Sequence, residues 1–167
     1  GCRRVGTITG PLDRIDAMLR HDGYLAAHRR RGLTPDPALT FESNYSYNGG
    51  RHSADRLLDQ NVDGVFAAND QMATAVLDRA IERGLEIPRQ LSIAGFDGIA
   101  RDLPGRMTLS TVEQPLEELG RCAVAGLVNL INGLETPDRQ VLEPRLILGS
   151  TTGPGGTRAP QHAAGGP

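Results

Sequence analysis

Short apolar runs that stop on small polar residues alternate with helix-length segments whose apolar positions recur every three or four residues. Residues 4–8 read as a buried strand closed by the turn Thr9-Gly10-Pro11, and a helix is expected over residues 16–31. Residues 39–41 form a weak second strand, followed by a helix over 50–60 with Ala54, Leu57 and Leu58 on one face. Strand three covers 64–67. The cleanest helical stripe comes next: Met72, Ala73, Val76, Leu77, Ala80 and Ile81, stopped by Gly84 with Pro88 beyond. Strand four covers 91–96. This alternation predicts an α/β fold with a doubly wound parallel sheet. The rhythm then changes to a short strand or crossing segment at 109–112, a helix opened by Pro115 and ended by Gly133, and two short strands at 140–142 and 145–148. From Gly153 onward the Gly, Pro and Ala composition reads as a disordered tail over 153–167.

Composition narrows the function more by exclusion than by assertion. A length of 167 residues fits one ordinary domain, or a domain with an appendage. No apolar run approaches the roughly 18 residues of a membrane helix, and the opening residues leave no room for a signal peptide. A net charge of −2 gives no electrostatic reason to hold a phosphate backbone. Arg29-Arg30-Arg31 reads as the basic end of a helix before Gly32. The two cysteines, Cys2 and Cys122, have no metal-binding or redox spacing, which points to a reducing cytoplasm. Cys122 falls in an apolar stripe and is expected to be buried. The four histidines match no metal-binding spacing, so neither a metal nor a cofactor is expected.

Candidate chemistry lies where the strands end. Parallel sheets present ligand groups at the carboxyl ends of their strands. Asn69 and Asp70 follow strand three; one is expected to cap the next helix and the other to meet a ligand, with Asn69 favoured as the ligand group. Asp97 ends strand four before Gly98. An Asp-Gly turn accounts for it, but a carboxylate there also accepts two hydroxyl hydrogen bonds at once, as sugars and ribosides offer. Tyr45, in Asn44-Tyr45-Ser46-Tyr47, could stack on a sugar or base, or only pack as a lid.

Several ordered segments together resemble the effector-binding domain of LacI/GalR transcriptional repressors. They are Phe66-Ala67-Ala68-Asn69-Asp70-Gln71-Met72-Ala73, Gly84-Leu85-Glu86-Ile87-Pro88, Ile93-Ala94-Gly95-Phe96-Asp97 and Leu109-Ser110-Thr111-Val112-Glu113-Gln114-Pro115. Leu119-Gly120-Arg121-Cys122-Ala123-Val124 and the opening Ile8-Thr9-Gly10-Pro11 extend the likeness to roughly residues 3–152. The resemblance implies a two-lobed, periplasmic-binding-protein-like (type I) fold with ligand held between the lobes. On that pattern residues 1–109 and 135–152 form the carboxyl-terminal lobe, and 110–134 is a strand and helix of the amino-terminal lobe. The rest of that lobe and the DNA-binding head lie outside this sequence. The resemblance also implies ligand-binding roles for Asp97, Asn69 and Arg20, the last three residues before Gly23-Tyr24. Arg14 and Asp16 match positions that tune effector choice, although each also reads as a solvent-facing charge. Leu19 and His21 depart from the family's pattern around Arg20.

The function implied is binding of a small-molecule effector, a sugar or nucleoside, by a repressor that is a homodimer and meets operator DNA only through its amino-terminal head. A periplasmic sugar receptor of a transporter shares the fold and is the alternative. An enzyme is not expected, because there is no GxGxxG after the first strand, no phosphate loop and no nucleophile–base pair.

Overall fold

The computed structural model describes residues 1–100 and 103–153. Six strands, β1 (Val5–Thr9), β2 (Thr40–Glu42), β3 (Gly64–Ala67), β4 (Ser92–Asp97), β5 (Ser110–Glu113) and β6 (Arg145–Ile147), form one sheet in the order β2-β1-β3-β4-β5-β6. The first five pair in parallel and β6 closes the edge antiparallel to β5. The expected doubly wound sheet is present, with a mixed edge. Its order reverses between β1 and β3, the point at which such sheets open a crevice beyond their strand ends.

The helices are α1 (Ile15–Arg30), α2 (Tyr47–Asp59), α3 (Asp70–Glu82) and α4 (Leu116–Ile131). Strand alternation divides the sheet's two faces. Val65, Ala67 and Ile93 turn toward α2 and α3 and join Ile8, Leu57, Met72, Val76 and Leu77 in the core. Gly50 lets α2 approach α3 closely, since a Cβ there would lie 2.7 Å from the Met72 Cα. Phe66, Phe96 and Val112 turn the other way, toward α1. The Tyr24 hydroxyl ties α1 to β1 by donating to the Val5 carbonyl at 2.8 Å. α2 starts on Ser46, whose Oγ accepts from Gly49 N at 3.0 Å, while α1 starts without a side-chain cap.

Three expectations change in the last third of the chain. The strand expected at 140–142 does not form: the segment lies between Pro137 and Pro144, which cannot donate to a ladder, and the sheet ends at β6. The strand of the 110–134 segment is not set apart from the main lobe. It pairs with β4 from Ala94↔Ser110 to Asp97↔Glu113, and Ser110 and Thr111 are buried. Fully buried Thr151 secures this edge by donating to the Ile93 carbonyl at 2.8 Å and accepting from Ser110 N at 2.9 Å. Cys122 is half-buried rather than buried, because no residue of α4 is buried. Of the tail expected at 153–167, everything beyond Gly153 lies outside the described residues.

α4 thus presents its apolar stripe to solvent; Leu127, Val128, Leu130 and Ile131 are exposed, Ile131 by 75%. Substituting Leu127→Lys together with Ile131→Lys is expected to leave stability within about 1 kcal/mol and to raise solubility, since neither side chain is in a packed core. Urea unfolding and sedimentation check this. A loss of several kcal/mol would mean that α4 packs on the lobe.

Candidate functional site

Five strand ends converge beside the crevice. Gly10 follows β1, Tyr45 follows β2, Asn69 follows β3, Asp97 ends β4 and Gln114 follows β5. α1 lies across them and supplies Arg14 at its cap, Asp16 in its first turn and Arg20 one turn further on.

Arg20 is the hub. Its Nη1 donates to the Ala68 carbonyl at 2.7 Å, and its Nη2 lies 3.5 Å from Asp97 Oδ1. The guanidinium rests 4.1 Å from the Phe96 ring centroid and 5.9 Å from that of Tyr45, within cation–π reach of both. Both side chains of the ion pair are mostly covered, Arg20 15% and Asp97 19% exposed. Gln114 Nε2 also donates to Asp97 Oδ1, at 2.7 Å. Burial pushes the Asp97 carboxyl above the ordinary carboxylate range; Arg20 and Gln114 pull it back, and the charges of Asp70 and Asp16 push it up again. Its backbone has φ 112°, a conformation uncommon outside glycine.

A second cluster adjoins the first. The Tyr45 hydroxyl donates to Asp16 Oδ2 at 2.7 Å, and Arg14 Nε lies 3.3 Å from Asp16 Oδ1. The hydrogen bond from Tyr45, aided by Arg14, holds the Asp16 carboxyl below its ordinary range despite some desolvation. Burial, together with the Asp16 carboxylate, pushes the Tyr45 phenol up to about 12, so it remains a donor at neutral pH. The Tyr45 ring covers Gly10, where a Cβ would fall 2.0 Å from the ring, and Tyr45 itself has φ 65°. A residue larger than Gly at position 10 would displace the ring.

All six expected residues therefore lie in one chain of contacts, from Asp97 through Arg20 and Tyr45 to Asp16 and Arg14, with Asn69 behind Tyr45. The expected division of work between Asn69 and Asp70 is corrected. Asn69, 8% exposed, is the cap: its Oδ1 accepts from Met72 N at 2.9 Å while its Nδ2 donates to the Tyr45 carbonyl at 2.9 Å. Asp70 points inward and accepts from Ile99 N (2.7 Å), Ala100 N (3.0 Å) and the Thr111 hydroxyl (2.5 Å). It braces the loop that follows Asp97. Gln114 was not singled out in the sequence, although the strand-end rule that found Asp97 applies equally to it.

A cavity of about 710 Å³ opens beside α1 along the sheet face. Asp16, Arg20 and Gln114 stand at its polar end, and Leu19, Tyr24, Phe66, Phe96 and Val112 line its apolar length. Asp97, Tyr45 and Arg14 stand at the adjoining strand ends, outside its lining, and the carboxylate acceptors, guanidinium donors and aromatic faces gathered there suit an uncharged molecule rich in hydroxyls. Among the described residues no group of three or more His, Cys, Asp or Glu side chains could hold a metal ion, and no helix is long and apolar enough to cross a membrane.

This arrangement has known relatives. A model described as a periplasmic binding protein-like domain matches residues 1–152. The chain belongs to that family. It is 36% identical over 135 residues to the ribose operon repressor of Escherichia coli, covering 78% of this chain and 40% of that protein. The HTH-type transcriptional regulator CelR of Thermobifida fusca is 34% identical over 151 residues (89% and 44%), and the HTH-type transcriptional repressor CytR of E. coli 35% over 155 (91% and 46%). The chain thus spans less than half the length of these relatives. Among solved structures, a CelR–cellobiose complex superposes with a TM-score of 0.83 at 33% identity, covering 90% of this chain and 47% of that one. A lac repressor dimer bound to operator and an anti-inducer gives 0.80 at 26% identity, covering 91% and 53%.

Proposed function

We propose that this chain is the effector-binding lobe of a LacI-type transcriptional regulator and that its strand-end crevice takes a sugar or a sugar-like molecule such as a nucleoside. The observation that carries the reading is the Asp97–Arg20 pair, its guanidinium over Phe96 and its carboxylate joined by Gln114, at the strand ends beside the switch point of the sheet. Asp97 accepts paired hydroxyls, Arg20 donates to ring or hydroxyl oxygens, and Tyr45 offers a ring face. Asn69 holds Tyr45 in place, and Arg14 and Asp16 form the rim. The relatives named above are transcriptional regulators, not transport receptors, and this favours a regulator over a periplasmic receptor.

In the intact protein a second lobe would close over the ligand and cover α4. Ligand would favour one lobe arrangement by differential affinity, and a DNA-binding head on a dimer would read that change. The direct test is titration of this chain with ribose and with cellobiose, followed by the side-chain amide resonances of Asn69 and Gln114. Saturable shifts that disappear in Asp97→Asn are expected. No shift with either sugar, or with other monosaccharides, disaccharides and nucleosides, would overturn the reading.

A further inference from the structure

Asp16, in the first turn of α1, is held by partners that would also suit an anionic ligand. Three features that collect negative charge converge on it. α1 begins beside it with no side-chain hydrogen bond from its cap residue, and the positive end of the helix dipole lies there. Arg14 lies at 3.3 Å and the Tyr45 hydroxyl at 2.7 Å. A phosphate would seek the same partners.

Among the described residues at the strand ends, the other positive features are matched in the same way. The start of α3 is taken by its own Asn69 oxygen on Met72 N, with Asp70 in the first turn. Arg20 faces Asp97. At the strand ends the guanidiniums of Arg14 and Arg20 therefore meet the carboxylates of Asp16 and Asp97, with Asp70 close enough behind to push the Asp97 carboxyl upward, while Arg31 lines the same cavity from beyond the other end of α1. A phosphate entering this balance would lose its hydration without gaining a net positive charge. A hydroxyl loses far less, because it both donates to a carboxylate and accepts from a guanidinium that carries five N–H groups.

We propose that Asp16 sets the charge of the ligand: as an internal anion, it makes the crevice take neutral polyhydroxylated molecules and turn away their phosphorylated counterparts. The proposal rests on the sugar-binding reading above and adds to it a selectivity and the residue responsible.

Calorimetry of the full chain with matched pairs, ribose against ribose 5-phosphate and glucose against glucose 6-phosphate, tests it in three forms of the protein. In the unaltered chain the neutral member of any pair that binds should do so at least tenfold more tightly. Asp16→Asn keeps the size of the side chain and removes its charge, and should narrow that ratio tenfold or reverse it. Tyr45→Phe removes the hydrogen bond to Asp16 but leaves the charge, and should leave the preference for the neutral member in place. A phosphorylated sugar bound as tightly as its neutral partner by the unaltered chain would overturn the proposal, as would an unchanged ratio in Asp16→Asn. If Tyr45→Phe admitted the phosphate as well as Asp16→Asn does, packing rather than charge would be the selector and the proposal would fall. Binding of no member of either pair would overturn this selectivity, whereas the sugar-binding reading itself stands or falls on the resonance titration above.

Discussion

Replacing Asp97 with Asn is expected to move ligand affinity and stability in opposite directions. Loss of charge-assisted hydrogen bonds to the ligand should weaken binding by about 1–3 kcal/mol, roughly ten- to a hundredfold. The fold, by contrast, should gain. Burial raises the Asp97 pKa in the folded state above its unfolded value. Stability from such a group is fully present below the unfolded pKa and is lost as pH rises through the folded one. At neutral pH the ionised carboxylate therefore subtracts from stability. Asn keeps an oxygen toward Gln114 and Arg20, tolerates a positive φ, and removes the buried charge. A higher Tm for Asp97→Asn at pH 7 is expected, with an advantage that shrinks as pH falls through the raised pKa. Ligand affinity of the unaltered chain should fall over that same window, as Asp97 takes up its proton. A lower Tm for the variant at pH 7 would show that the ion pair with Arg20 outweighs the burial of the charge.

The largest single loss of stability is expected at Asp70. Its carboxylate is 1% exposed and holds two backbone N–H groups of the loop after β4 and a hydroxyl of β5. Asp70→Ala leaves three donors without their acceptor in a covered site, at a cost of roughly 3–5 kcal/mol. In a domain of this size that lowers Tm by about 6–20 °C. Asp70→Asn should be milder, since its oxygen still accepts while its NH2 faces a donor. Urea titration of both variants measures this. A change below about 1 kcal/mol in Asp70→Ala would mean that the loop bearing Asp97 is held by other contacts.

Much of this architecture was legible in the residues because the physical signals were local. The apolar run ending at Ala67 could be a strand, and the stripe from Met72 to Ile81 a helix, before any tertiary contact was known. The strand-end rule found Asp97 for the same reason, and it reaches Gln114 as well once β5 is recognised as a member of the sheet. What stayed hidden depends on distant partners. Asn and Asp cap helices about equally well, so only the positions of Thr111 and of residues 99–100 decide that Asp70 turns inward and Asn69 caps. The 140–142 segment has a strand-like pattern but stays unpaired between two prolines, and a local pattern does not say which segments a sheet will recruit. Thr151 reads as a loop threonine, and its role between β4 and β5 follows from a chain reversal that no local pattern encodes. Cys122 has the pattern of a core residue because α4 is amphipathic, and an apolar stripe records that a helix needs a partner without saying whether this chain supplies it.

The convergence of five strand ends also has a kinetic consequence. Gly10, Tyr45, Asn69, Asp97 and Gln114 are brought together only when every crossover of a parallel sheet has closed, and such long-range closures form late and slowly. A ligand held where these ends meet has little to bind while the chain is still assembling. It should leave the folding rate almost untouched and act on the finished lobe, lengthening its lifetime before unfolding by a factor of one plus the ratio of free ligand concentration to Kd.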